Sequence, residues 1–332
     1  MLLMYITDRR QQYSQNALTS TALGRGFLNQ YRYGKMWIES SLWTRWPDDG
    51  LAGEQVLLMY LEGNRDDLIH ATARPLRFGI VRASVVAGRF GILEVELSGF
   101  PSLRVLDLLP AADSAGIVSP GPRDGQFVLE VPTCSMSETE TDLEAWQDIV
   151  QNLSSAAAFN TASFVYVAGL RRVRAKAGLN LVPRDGKFTL KNGFLYELEL
   201  HALVGQATAD IAHTYQVRVD DRHLRIAGPV EFVFGHRYST EYIMLEAQGR
   251  GKRESTYLII LAKDGSYGPI VRLQIEFSAS YWRRTVDLGL PAIAAGSAAT
   301  AGVLPIGIPL WVKISMIVIG SAGIAISSSR RK

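Results

Sequence analysis

Asp210, His213, Asp220, Asp221 and His223 crowd one short stretch of the chain, with His201 a little upstream. Imidazole and carboxylate groups so placed can ligate a metal ion or share a proton. Their spacing matches no ligand motif, and Asp220 to His223 sit where a hairpin has to turn, so a solvated turn accounts for them. No metal and no cofactor is expected. Cys134 is the single cysteine. Nothing local would lower its thiol pKa, which makes it a poor nucleophile beside any histidine, and one cysteine permits no intrachain disulfide. Walker, Rossmann, nucleophile-elbow and Cys-x-x-Cys patterns are all missing. The expectation is a protein that is not an enzyme.

Guanidinium groups offer a different chemistry. Arg171, Arg172, Arg174 and Lys176 form one basic segment and Arg250, Lys252 and Arg253 another, and both suit phosphate. A nucleotide or oligonucleotide signal, a nucleic-acid end or anionic lipid headgroups would fit them, with a plain solvated surface as the alternative. Arg74, Arg77, Arg82 and Arg89 pose the same choice nearer the amino terminus. A formal net charge of +3 over 332 residues is too small for a stable duplex nucleic-acid face. Trp37, Trp43 and Trp46, preceded by Tyr31 and Tyr33, read as packing of their own domain before a stacking surface.

The elements that would position these groups are mainly β. Residues 1–131 carry short apolar runs broken by turns. Leu93, Val95 and Leu97 alternate with Glu94 and Glu96, which predicts a half-buried strand paired in a hairpin with Arg77 to Val86. Within 132–163, acidic residues after Ser137 precede Leu143, Trp146, Ile149, Val150 and Leu153 at helical spacing, which predicts an amphipathic connecting helix packed on a sheet. Residues 164–281 show period-two runs with turns about every 8 to 12 residues, as in a β-sandwich.

Residues 282–332 differ in kind. Leu288 to Val312 carries no formal charge, and only Lys313 interrupts the apolar run before Ser329. Ile306 to Ile326 meets the roughly 20 residues that cross a hydrocarbon core of about 30 Å. Pro305 and Pro309 fall where two helices would turn, Gly320 and Gly323 permit close helix approach, and Trp282 and Trp311 suit the two interfaces. Basic residues at both ends favour a hairpin with both ends cytoplasmic over a single span. The expected fold is therefore two β-sandwich-like domains joined by a helix and followed by a transmembrane helical hairpin. The expected place is the inner membrane, soluble domains inside.

Soluble β domains ending in Tyr281-Trp282-Arg283-Arg284, then a small-residue hairpin closed by Arg330-Arg331-Lys332, resemble in layout the membrane effectors of bacterial anti-phage defence, Hailong-type channel effectors among them. The resemblance implies that β domains sense a signal or regulatory protein and control oligomeric helices that conduct ions or disrupt the bilayer. In a pore, Lys313 would face the lumen and favour anions. A membrane-anchored adaptor with two β interaction domains is the rival reading.

Overall fold

The structure, a computed structural model, describes residues 1–7, 11–62, 72–101, 126–131, 142–173, 180–205, 213–220, 223–234, 238–248, 255–263 and 269–278. In chain order the amino-terminal part holds β1 (Leu2–Thr7), α1 (Gln11–Ala22), β2 (Leu28–Gly34), α2 (Ser40–Arg45), β3 (Gln55–Glu62), β4 (Thr72–Ala87), β5 (Phe90–Leu97) and β6 (Val128–Glu130). Then come α3 (Asp142–Ser154), β7 (Ser163–Arg172), β8 (Lys187–Lys191), β9 (Leu195–Val204), β10 (His213–Val219) and β11 (Leu224–Ile226). The last strands are β12 (Glu231–Phe234), β13 (Tyr238–Ala247), β14 (Ser255–Ala262) and β15 (Pro269–Ser278).

The amino-terminal part is one six-stranded sheet in the order β2-β5-β4-β3-β1-β6. It is mixed, because β1 and β3 run parallel while their other neighbours run antiparallel. β1 and β3 are apolar at nearly every position, as strands buried on both faces must be. Leu2, Met4, Ile6, Val56, Leu58 and Tyr60 enter one hydrophobic cluster. Met1, Leu3, Tyr5, Leu57, Met59 and Leu61 enter a second on the opposite face. The hairpin of β4 and β5 turns through Gly88, whose φ of +62° is a conformation glycine adopts without strain.

The carboxy-terminal part is a sandwich. A five-stranded sheet, β12-β10-β14-β15-β8, faces a four-stranded sheet, β11-β13-β9-β7. Tyr196, Leu198, Leu200, Ile243 and Leu245 of the smaller sheet and Val217, Leu258, Ile260, Leu273 and Ile275 of the larger one are all buried in the interior. The same cluster runs without a break through Trp146, Ile149, Val150 and Leu153 of α3 into the first sheet. Burial of that stripe, worth about 1.5–3 kcal/mol for each large side chain, is what fixes α3 in place.

Two corrections to the expected fold follow. The first β region is a single mixed sheet with helices against one face, and only the second is a sandwich. The transmembrane hairpin is not supported: among the described residues no helix is long and apolar enough to cross a membrane. At 13 residues the longest of the described helices, α3, spans about 20 Å against a core of about 30 Å. Residues 282–332, including Trp282, Pro305, Pro309, Trp311, Lys313, Gly320 and Gly323, lie outside the described residues. An uncharged run measures dislike of water, and by itself it does not name lipid as the alternative solvent.

Candidate functional site at the rim of the four-stranded sheet

His201 on β9 lies opposite Tyr166 on β7 and opposite Thr240 on β13. Opposed residues share a face of a sheet, and strand alternation adds Glu197, Glu199, Arg171, Tyr238 and Tyr242 to it. This is the outward face of the sandwich, and it is divided. At one end it is covered: Tyr166 stacks on Trp146 of α3 at 5.4 Å and 23°, and Phe100 meets the Tyr166 ring edge-on at 5.6 Å. At the other end Tyr238 and Tyr242 are 39% and 47% exposed. His201 sits at the boundary, 4% exposed.

Under the covered end lies Arg77, fully buried. The register of β3 with β4 shifts between Leu58 and Met59, opposite Arg77 and Pro75, and leaves Leu76 as the extra residue. Such a bulge turns two successive side chains to one face. It brings Arg77 inside beside Leu76, and it accommodates Pro75 in a stretch of β4 that pairs with β3 and lies beyond the β5 register, which starts at Gly79. The Arg77 Nε donates to the Ser98 carbonyl at 2.7 Å, the guanidinium lies 3.7 Å above the Phe100 ring, and its charge acts on the nearby Tyr166 hydroxyl. Burial pushes the Arg77 pKa down to about 10, opposed by Tyr166 and Asp142, so the group stays cationic at neutral pH. Asp142, at the start of α3, is held in a bidentate pair by Arg25 at 2.6 and 2.7 Å.

At the boundary the hydrogen bonds fix a tautomer. His201 Nε2 is 2.9 Å from Glu199 Oε1, and Nδ1 is 2.7 Å from the Tyr238 hydroxyl and 3.1 Å from Thr240 Oγ1. A carboxylate only accepts, so Nε2 carries the proton and donates it. In the neutral ring Nδ1 then accepts from the hydroxyls. Burial pushes the His201 pKa below its usual value, and Glu199 opposes this by its charge and its hydrogen bond. The Tyr238 ring stacks on His201 at 5.9 Å and 16°, and His201 on Tyr166 at 6.4 Å and 29°. Carboxylate, imidazole and phenol form one connected row, ordered for proton transfer away from the phenol.

The sequence-predicted residues meet only in part. Arg171 and Arg172 are strand neighbours and diverge. Arg171 pairs with Glu197 on the outward face, with Nε at 2.5 Å, and lies 5.6 Å over Tyr242, whereas the Arg172 guanidinium lies 3.3 Å over Phe194. Arg174, Lys176, Arg250, Lys252 and Arg253 lie outside the described residues, as do Cys134, Asp210 and Asp221. Groups of three or more candidate metal ligands do not occur among the described residues. Of the amino-terminal arginines, Arg74 binds Glu62 at 2.8 Å and the Asn152 carbonyl at 3.0 Å, tying the sheet to the end of α3. Arg82 pairs with Glu96 at 2.7 Å and Arg89 lies 5.3 Å over Phe90. The tryptophans pack: Trp46 is fully buried against Gly91, where an added Cβ would stand 2.5 Å from the indole, and Trp37 meets Phe127 at 5.1 Å.

Sequence reasoning passed over Glu199, Tyr238 and Thr240. The usable signal was the alternation Glu197-x-Glu199-x-His201 and Tyr238-x-Thr240-x-Tyr242, which puts each trio on one face.

No protein-family profile and no curated protein matches the chain. Among solved structures, WR4, a C. elegans MSP family member, aligns at 11% identity over 28% of this chain and 92% of that one, with a TM-score of 0.19. The cupredoxin domain of amoB from Nitrosocaldus yellowstonii aligns at 5% identity over 25% of this chain and 56% of that one, with a TM-score of 0.20. Likeness at that level carries no argument about what the chain does.

Proposed function

We propose that the chain is a recognition module that engages a partner protein through the open half of the outward face of the four-stranded sheet. The observation that carries this reading is the division of that face. Its covered half is filled by Trp146 and Phe100, while its open half presents Tyr238 and Tyr242 above Glu197 and Glu199. Exposed tyrosines with a polar tip on an apolar ring supply contact area at small entropic cost, and a β-sheet holds them rigidly. Arg171, already tied to Glu197, adds a planar donor at the margin. This reading keeps the sensing and adaptor parts of the sequence-based expectation, and no membrane-crossing element enters it.

A photo-crosslinking residue placed at Tyr242 in the full chain, in its native host, tests the reading. The control position is Val182, 76% exposed. A discrete protein adduct from position 242 above the background at 182 is the expected result. Equal background at both positions ends the proposal.

A further inference from the structure

We propose that Tyr238 is an activated nucleophile that accepts an acyl group from a neutral, activated carboxylic ester, with His201 as its general base and Glu199 as the positioning residue behind the base. The spatial requirement for such a group is a nucleophile within hydrogen-bond reach of a base that a third group orients. The distances meet it: 2.7 Å from the Tyr238 hydroxyl to His201 Nδ1 and 2.9 Å from Nε2 to Glu199. Glu199 takes the Nε2 proton as a hydrogen bond, which leaves the Nδ1 lone pair facing the phenol. His201 is clamped for this task, stacked between Tyr166 and Tyr238 and nearly without exposure, whereas the Tyr238 ring is open enough to be reached.

The step balances without any further reactant. Tyr238 passes its hydroxyl proton to Nδ1 as Oη bonds to the ester carbonyl carbon. The carbon–oxygen bond to the leaving alcohol or phenol then breaks, and the leaving oxygen takes the proton from the imidazolium. Thr240 Oγ1 lies 3.1 Å from Nδ1 and 3.5 Å from the Tyr238 oxygen, and so borders the reacting pair. The charge of the site selects the substrate class. Among the described residues of this face, Arg171 pairs with Glu197 and Arg225 lies 4.0 Å from Glu246 at the far end of β13, while Glu199 stands beside the nucleophile. An anionic phosphoryl donor would meet the repulsion of the Glu199 carboxylate there, and an uncharged ester would not.

Tyr242 supplies a reference inside the same molecule. It lies four residues along β13, on the same face, and it is the more exposed of the two tyrosines. Accessibility alone would make Tyr242 react first. The full chain is treated with p-nitrophenyl acetate, and acetylation of each tyrosine is followed by peptide mass mapping. General-base assistance predicts labelling of Tyr238 on the order of 100-fold faster than Tyr242. A ratio of at least about tenfold supports the proposal and any smaller ratio overturns it. Glu199→Gln, which keeps an acceptor near Nε2 without the charge, is expected to lower the ratio of Tyr238 to Tyr242 labelling, and because Tyr242 lies opposite Glu199 on β13 the Tyr238 rate is also read by itself. Equal rates in Glu199→Gln and wild type would overturn the role of Glu199. Tyr238→Phe abolishes the fast label. Because the two tyrosines are compared within one chain, a partly unfolded variant cannot imitate the result, and the crosslinking test at Tyr242 succeeds or fails independently of it.

Discussion

The two halves of the outward face of the four-stranded sheet are built on the same strands and behave as opposite materials. In the covered half, Tyr166 is buried against α3 and the first sheet, and its hydroxyl is pushed above the usual phenol range by that burial. In the open half, Tyr242 stands in water beside an arginine already paired with Glu197. The same side-chain type is structural at one end and available at the other. What separates them is the docking of a second layer, and the boundary falls at His201, one side of whose ring faces the buried aromatic stack and the other an exposed phenol.

Arg77 gives the strongest way to break this division. A buried cation is costly to desolvate, yet its side chain fills space between Phe100 and the bulge. Arg77→Ala removes packing and is expected to cost about 3 kcal/mol or more in denaturant unfolding. Arg77→Met keeps the volume and discards the charge, and it should come within about 1 kcal/mol of wild type or exceed it. Equal damage from both substitutions would mean that the charge, not the volume, secures the covered half.

Much of this arrangement was legible in the residues. Leu93, Val95 and Leu97 do lie buried in alternation with Glu94 and Glu96, and Leu143, Trp146, Ile149, Val150 and Leu153 do recur on one helix. Helix α1 was not legible, because Gln11 to Ala22 lacks charge and a broad apolar stripe. It is held by the buried Leu18, by the small buried Ala17 and Ala22 and by the Ser20 hydroxyl, 2.7 Å from that of Tyr31. The parallel pairing of β1 and β3 was equally hidden, since an apolar run reports burial on both faces and not its neighbours. The rim site needed the register of two strands: Glu199 and His201 are two residues apart, but Tyr238 reaches His201 only because β13 pairs with β9. Arg77 was visible as an arginine, while the bulge that turns it inward was not.

His201 provides the next test, of smaller effect, at the boundary itself. Its pKa is lower in the folded chain than the ordinary 6.5. The unfolded chain therefore binds the proton more readily, so the stability contributed by the neutral ring is fully present above that value and is lost as pH falls toward the folded pKa. Urea midpoints taken from neutral pH downward should fall more steeply for wild type than for His201→Gln, which has no titrating ring. Superimposable slopes would place the imidazole in water and dissolve the boundary.

Tyr242 is the gentlest probe and the one that separates folding from contact. Its ring meets Arg171 at 5.6 Å and is 47% exposed, so Tyr242→Ala should change unfolding free energy by no more than about 0.5 kcal/mol. Proteins hold exposed aromatic rings cheaply only when nothing inside depends on them. A loss above about 1 kcal/mol would show that the open half is load for the sandwich, as the covered half is. A loss within the smaller bound leaves the ring free to serve a partner, and then any fall in crosslinking or binding by the same variant is a fall in contact and not in fold.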